Sequence, residues 1–367
     1  MQARAAAGGF ALAFTPGFNV ANVGAVAERI SSAYGVGLGV VGLFTTGLFV
    51  THAGMQVPAG RLCDRFGARV VGGAGLLVVA GASAAAALGP RAAWFAIAMR
   101  VVAGLGTAAA FVGGSDYVRA TIGTPVALGW YGAVSMAGGG LALALVPLWG
   151  TWRAPFALAA IVAGVGALVV ALAPPEHARA PVARQLPSVL DRRLAPLAVM
   201  HAASFGLSVV VGNWIVTLLH RYGGESGRLA GIAGGLVLLA GVVSRPLGGR
   251  VIDRPRLIAA SLVIGGAAVA ALALAKPLAL VIVMAATVGL AAGLPFAACF
   301  AGASRLRPDA PGAAVGAVNM VAAVVILVAT PLLGLTFSLP GGGRVGFLVI
   351  AALWAAAAVA VRKAALT

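Results

Sequence analysis

Two arginines, Arg100 and Arg245, stand within or beside long apolar runs, in the segments AMRVVAGLG and SRPLGGR. A guanidinium carries five N–H donors in one plane, which suits carboxylates and other oxyanions. Among apolar residues such a charge needs a partner, because an unpaired buried charge is costly. Arg100 is therefore either satisfied by backbone carbonyls or by Glu28, or part of an anion or proton-coupling site. Arg245 is either a ligand for an anion or one more basic residue near a helix end, and all these interpretations stay open.

Uncharged polar residues inside the apolar runs are the other candidates for contact with a bound molecule. A lone polar residue in an apolar helix also serves to hydrogen-bond two helices together, so each residue is a candidate for either role. The predicted binding set comprises Asn19, Asn22, Gln56, Arg100, Ser135, His201, Asn213, Arg245 and Asn319.

The sequence predicts neither a metal site nor a cofactor. Cys63 and Cys299 lie far apart and are not surrounded by metal-ligand spacing. No segment matches the phosphate-binding pattern G-x-x-x-x-G-K-[ST]. The eight acidic residues are scattered along the chain, which argues against the paired carboxylates of a polytopic membrane enzyme. We therefore expect a protein that is not an enzyme.

The composition determines which solvent surrounds these residues. Charged residues make up 9% of the chain and apolar residues 61%, whereas a soluble domain carries about 25% charged residues. Because a surface this apolar would aggregate in water, a lipid bilayer is the consistent solvent. The net charge of +17 is spread over many short segments, which argues against nucleic-acid binding. We expect a monomer whose partners are lipid and a small molecule.

Apolar runs of about 20 residues, the length that crosses a bilayer, occur twelve times between charged or Pro- and Gly-containing turns. The predicted fold is all-α, with a six-helix bundle over residues 1–175, a linker over 176–194 and a second six-helix bundle over 195–367. The predicted spans are 6–27, 36–59, 70–89, 92–115, 124–148, 154–174, 196–219, 229–249, 257–275, 277–301, 312–335 and 345–361.

The basic residues predict the orientation of these spans. With the N-terminus in the cytoplasm, seventeen basic residues fall in or beside cytoplasmic loops and seven fall on the opposite side, with Arg100 inside a helix. This asymmetry follows the positive-inside rule. Both termini are therefore expected in the cytoplasm of a multi-pass protein of the cell membrane.

The two halves of the sequence repeat one another. GAVSM (132–136) recurs as GAVNM (316–320), which makes Ser135 and Asn319 a corresponding pair. GRLCDR (60–65) recurs as GRVIDR (249–254). Two six-helix halves in the same orientation predict a pseudo-two-fold axis along the membrane normal, with a cavity between the halves, as in secondary transporters.

The turn after the second span resembles the G-x-x-x-D-R-x-G-x-R/K motif of the major facilitator superfamily, although Ala68 stands where a second basic residue is common. The resemblance implies a gate at the cytoplasmic side. The simpler alternative is that the arginines only hold this loop in the cytoplasm and so determine the topology. The second copy of the motif is cut short by Pro255. The predicted gate comprises Gly60, Asp64, Arg65, Gly67, Arg69, Asp116, Arg119, Gly249, Asp253 and Arg254.

The resemblance also bears on the cargo. An arginine followed by spaced small residues in the fourth helix resembles a family pattern linked with proton coupling. Arg245 and its counterpart Gln56 resemble the paired arginines of nitrate and nitrite porters, but the neutral Gln56 argues against a two-arginine clamp. A relative of the cyanate porters or of carriers of small organic anions stays open.

These observations favour a secondary active transporter that moves a small neutral or anionic solute by alternating access, with proton coupling left open. The alternative is an exporter of hydrophobic compounds from the same superfamily. An exporter of cationic drugs is disfavoured, because Asp116, near the cytoplasmic surface, is the nearest approach to a carboxylate within a predicted span.

Overall fold

The computed structural model describes residues 2–176, 191–224, 226–274, 277–307 and 311–364. Side chains at positions 57, 64, 125, 126, 128, 304 and 311–313 lie outside this description, and so does most of the predicted linker. The described residues form helices and turns, and no strand occurs among them.

The first half contains six membrane-crossing helices, and the first two are each interrupted. Helix α1 is α-helical over Gln2–Ala21 and Ala27–Tyr34, and α2 over Leu38–Gly54 and Gln56–Phe66. The remaining helices are α3 (Ala68–Leu88), α4 (Ala93–Thr121), α5 (Pro125–Leu145) and α6 (Ala154–Ala171).

The second half repeats this arrangement. Its helices are α7 (Arg192–Arg221), α8 (Gly227–Gly248), α9 (Pro255–Leu274), α10 (Leu278–Leu306), α11 (Pro311–Thr336) and α12 (Arg344–Val361). Among the described residues, 11 helices are long and apolar enough to cross a membrane, and the shorter apolar part of α2, Leu38–Gly54, is the twelfth. The predicted all-α fold with twelve membrane helices is confirmed.

Two helix pairs join the halves. Helix α5 packs along α8, and α2 packs along α11. Because α5 corresponds to α11 and α2 corresponds to α8, exchanging the halves converts one pair into the other. This is the arrangement that a pseudo-two-fold axis requires. The other major contacts lie within a half, such as α3 with α4 and α8 with α10.

Because the chain crosses the bundle twelve times, both termini lie at the same end, which we call the terminal end. The α1–α2 and α7–α8 turns lie at the opposite end, which we call the distal end. Small residues allow close contact between halves toward the distal end. A Cβ added at Gly42 of α2 would lie 2.5 Å from the Pro331 Cα of α11, and one added at Gly24 of α1 would collide with the backbone of Asn213 in α7. The distal contact therefore requires glycine at both positions.

Three local features of the helices do not follow from the pattern of predicted spans. Helix α1 continues through Pro16 and is interrupted later, at a 3₁₀ turn over Gly24–Val26. The segment 60–66, whose charges suggest a turn, belongs to the helix Gln56–Phe66, because a helix can continue beyond the apolar region into a polar environment. The chain turns at Gly67, whose φ of 89° is accessible to glycine without strain. Helix α7 contains a π-helical turn over Ala202–Leu207, directly after His201.

Candidate solute-binding site

Arg245 lies on α8 at the contact between the two halves and is 3% exposed. Its Nη1 donates a hydrogen bond of 2.6 Å to the carbonyl oxygen of Gly132 on α5, in the other half. The guanidinium also stacks on two rings, with its Cζ 3.9 Å from the centre of the Phe296 ring and 5.6 Å from that of Phe205. Its Nε is buried and has no hydrogen-bond partner among the described residues. The guanidinium is therefore held in place while its buried Nε–H has no acceptor among the described residues.

His201 on α7 completes this cluster. Its ring centre lies 5.4 Å from that of Phe205, 5.6 Å from Phe296 and 4.9 Å from Phe300. Its Nε2 lies 3.2 Å from the Asn319 Oδ1 of α11. Its Nδ1, like the Nε of Arg245, is buried with no partner in the described part of the chain. Helices α7, α8, α10 and α11 thus surround one polar spot with aromatic walls, and α5 closes it from the other half.

Arg100 on α4 is as deeply buried, at 2% exposure, but its surroundings are different. It donates to the Asn19 carbonyl oxygen at 2.6 Å, the Phe44 carbonyl oxygen at 3.2 Å, and the side-chain oxygens of Asn19 and Asn22 at 3.4 Å each. Asn22 in turn donates to the carbonyl oxygen of Pro155. Arg100 therefore ties α1, α2 and α4 together, and Asn22 extends the network to α6.

Glu28, one of the two expected partners of Arg100, pairs with Arg221 instead. Glu28 lies on α1 and Arg221 on α7, so this ion pair joins the halves at the distal end. Two of the four acceptors of Arg100 are main-chain oxygens and the other two are amide oxygens, which is the surrounding that the backbone-carbonyl alternative predicts.

A family comparison accounts for this arrangement of helices. A model described as Major Facilitator Superfamily matches residues 9–330, most of the chain. The chain belongs to the Major Facilitator Superfamily. It is therefore a multi-pass membrane protein of a family of transporters.

Solved structures of two superfamily transporters are similar over almost the whole chain. One is a variant of the nucleoside transporter NupG, with a TM-score of 0.76, 14% identity and 98% of each chain covered. The other is a bacterial homologue of the human lysosomal transporter Spinster in an inward-facing and occupied conformation, with a TM-score of 0.77, 16% identity, and 96% of this chain and 95% of that chain covered. At such identities the likeness shows the fold alone. A search of curated proteins finds no match.

The remaining predicted binding residues of this superfamily member do not all converge. Asn213 on α7 is buried near the distal end, with Thr45 and Thr330 beside it.

Gln56 is half-buried and donates to the carbonyl oxygen of His52 on its own helix. Ser135 is half-buried on α5, and its counterpart Asn319 contacts His201 instead. The structure thus brings together Arg245, His201 and Asn319.

The superfamily motif at the α2–α3 turn contacts its own half. The Nη1 of Arg69 donates to the Ala173 carbonyl oxygen at 2.6 Å, and the Arg69 backbone N–H donates to the Oε1 of Glu176 at 3.2 Å. The turn is therefore held against the end of α6.

The other residues of the motif make fewer contacts. Arg65 is exposed and stacks on Phe66, and Gly60 is half-buried. The side chain of Asp64 lies outside the described part.

The other predicted gate residues lie in two places. Asp116 and Arg119 form an ion pair with each other on α4. The shortened second motif is exposed at the end of α8, at Gly249, Asp253 and Arg254.

Sequence reasoning missed the aromatic part of the site. Phe205, Phe296 and Phe300 are three of 14 phenylalanines in an apolar chain, and nothing in their local sequence distinguishes them. The repeat offered the best signal, because it pairs Asn319 with Ser135 and so directs attention to α11. Gly132, whose carbonyl oxygen binds Arg245, also lies in the repeated GAVSM segment, but a carbonyl acceptor has no sequence signature.

Proposed function

We propose that this superfamily member is a secondary active transporter that carries a small anionic solute by alternating access, with Arg245 as the ligand of the anion. The unused Nε–H of a buried, charged guanidinium carries this proposal. A buried charge without a full set of partners is costly, and an oxyanion would supply both the missing acceptor and the opposite charge.

The position of Arg245 connects this binding role with transport. Its hydrogen bond to the Gly132 carbonyl oxygen crosses from one half to the other. A rocking motion of the halves changes the separation of α5 and α8, so this bond must break or change in one access state. A solute that binds Arg245 should therefore have different affinities for the two access states and shift the equilibrium between them.

Orientation and gating belong to the same proposal. The arginine asymmetry places the terminal end in the cytoplasm of a cell-membrane protein. The Glu28–Arg221 pair and the glycine contacts hold the distal end closed. The α2–α3 turn that carries the motif contacts its own half while the distal end is closed, and it serves as the cytoplasmic gate between residues 1–175 and 195–367 in the opposite access state.

The test is uptake by purified protein in liposomes, with a panel of radiolabelled small monoanions and with or without a pH gradient. We expect saturable uptake that Arg245→Gln abolishes. Arg250→Gln is the matched control, because Arg250 is an exposed arginine just beyond the end of the same helix. Equal uptake by both variants would contradict the proposal. Stimulation by an imposed proton gradient would establish proton coupling, whereas identical rates in both conditions would indicate uniport or exchange.

A second candidate is the export of hydrophobic compounds, and the aromatic cluster of Phe205, Phe296 and Phe300 favours it. A neutral apolar compound would use the rings and not the guanidinium. Its transport should therefore survive Arg245→Gln and fall when Phe296 is replaced by alanine. The two variants, assayed with one anion and one neutral compound, separate the candidates.

A further inference from the structure

The protonation of His201 follows from its partner. The Asn319 Oδ1 is an acceptor, so in the arrangement of the structure the Nε2 of His201 carries the proton that is donated to it. The second nitrogen, Nδ1, then presents a lone pair and acts as an acceptor. The ring packs among three phenylalanines, and none of its described contacts is a carboxylate.

The cluster therefore contains one buried donor and one buried acceptor without a partner in the described part of the chain. The donor is the Arg245 Nε–H and the acceptor is the His201 Nδ1, and both are buried without a partner among the described residues. Buried polar groups are almost always hydrogen-bonded, so two exceptions in one place require an explanation. Both groups pack against the same two rings, those of Phe205 and Phe296, so they belong to one cluster.

The π-helical turn after His201 supports a functional rather than an accidental arrangement. Single π turns within α-helices occur frequently at functional sites. The turn covers Ala202–Leu207, so it separates His201 from the part of α7 that follows, Ser208–Arg221. It sets the orientation of the histidine ring relative to the remaining turns of its helix.

We propose that the transported solute is a small monoanion that also bears a hydrogen-bond donor, of the hydroxycarboxylate class, bound between Arg245 and His201. Its oxyanion accepts from the Arg245 Nε–H, and its hydroxyl donates to the His201 Nδ1. Nitrate, nitrite and cyanate have no such donor and would leave Nδ1 unpaired. This assignment rests on the proposed anion transport and names its substrate class.

The experiment compares glycolate with acetate, two monocarboxylates that differ by one hydroxyl group. Binding is measured by calorimetry on the purified full-length protein in nanodiscs. A site that binds the hydroxyl should favour glycolate by about tenfold or more. His201→Phe, which keeps an aromatic ring but removes both nitrogens, should reduce this preference to near one while acetate still binds. His52→Phe is the matched control in the other half and should preserve the preference.

The outcomes separate the two levels of the proposal. If both anions bind equally to the native protein and Arg245→Gln removes both, the hydroxyl assignment is wrong and anion binding stands. If neither anion binds, and uptake of the wider anion panel is unaffected by Arg245→Gln, the proposed function itself fails. The glycolate-to-acetate ratio of the native protein decides the assignment even if His201→Phe does not fold.

Discussion

In the described part of the chain each half buries one arginine to a similar extent, but the surroundings of the two differ. Arg100 in the first half makes four hydrogen bonds, all to neutral oxygens of α1 and α2. Arg245 in the second half makes one hydrogen bond among the described residues and stacks on aromatic rings. Burial therefore does not separate the two arginines, whereas their hydrogen-bond partners do. This difference is the basis of the proposal that Arg245, and not Arg100, binds the solute.

The largest effect should come from Arg245→Gln. If the unused donor binds the solute, this change should reduce anion affinity about 100-fold, because it removes one member of a buried charge-assisted pair. Thermal unfolding in detergent should change little, since one hydrogen bond to Gly132 is lost. Calorimetry and a thermal-unfolding scan measure the two effects separately. Normal anion affinity together with a much lower unfolding midpoint would mean that Arg245 stabilises the fold and does not bind the solute.

Arg100→Gln should show the opposite pattern. Several acceptors on α1 and α2 would lose their donors, and the unfolding midpoint should fall by roughly 5–10 °C. The molecules that remain folded should bind the anion with native affinity. The readout is the unfolding midpoint together with affinity per folded molecule, taken from the monodisperse fraction. A stable variant without anion binding would place Arg100 in the binding site.

A third prediction compares Asn22 and Asn213, asparagines on the first helix of each half. The amide of Asn22 bridges Arg100 and Pro155, whereas the Oδ1 of Asn213 is buried without a partner among the described residues. Asn22→Leu should therefore lower stability by about 1–2 kcal/mol, and Asn213→Leu by a few tenths or less. Denaturation of both variants under one set of conditions tests this order. Equal losses of stability would show that the hydrogen bonds of the two asparagines do not determine how much each one stabilises the fold.

The smallest effect should come from a charge outside the membrane. Hydrogen bonds from Arg193 hold the pKa of Asp191 down at about 2. A depressed carboxyl pKa stabilises the folded protein above the unfolded-state value, and this contribution is lost as the pH falls through about 2. Asp191→Asn should therefore cause a small loss of stability that stays the same from pH 5 to pH 8, because Asp191 is ionised throughout that range. A marked pH dependence of the difference in that range would show a stronger coupling at this helix end.

The helices could be predicted from the sequence because the bilayer imposes a length and a charge rule on every span. The predicted spans coincide with the twelve helices, and the repeat of GRLCDR in GRVIDR agrees with the corresponding helix pairs α5–α8 and α2–α11. The charges at 60–66 were misleading about local structure, because a helix that leaves the membrane can remain helical.

The site could be predicted only in part. Arg245, His201 and Asn319 were all candidates, but so were Gln56 and Ser135, and polar type alone does not say which of them meet. The deciding contacts are backbone oxygens, such as those of Asn19, Phe44 and Gly132, that any residue could provide. Such acceptors become visible only when the helices are placed in space.

The glycines between the halves have a consequence for how such a protein can change over time. Gly42 and Gly24 lie against backbone of the opposite half, so even one methyl group there would act as a wedge. The conformation closed at the distal end would lose population and the open one would gain it, without any change at the solute site. A single-nucleotide substitution could thus alter the direction of the molecule's resting bias before it altered what the molecule recognises.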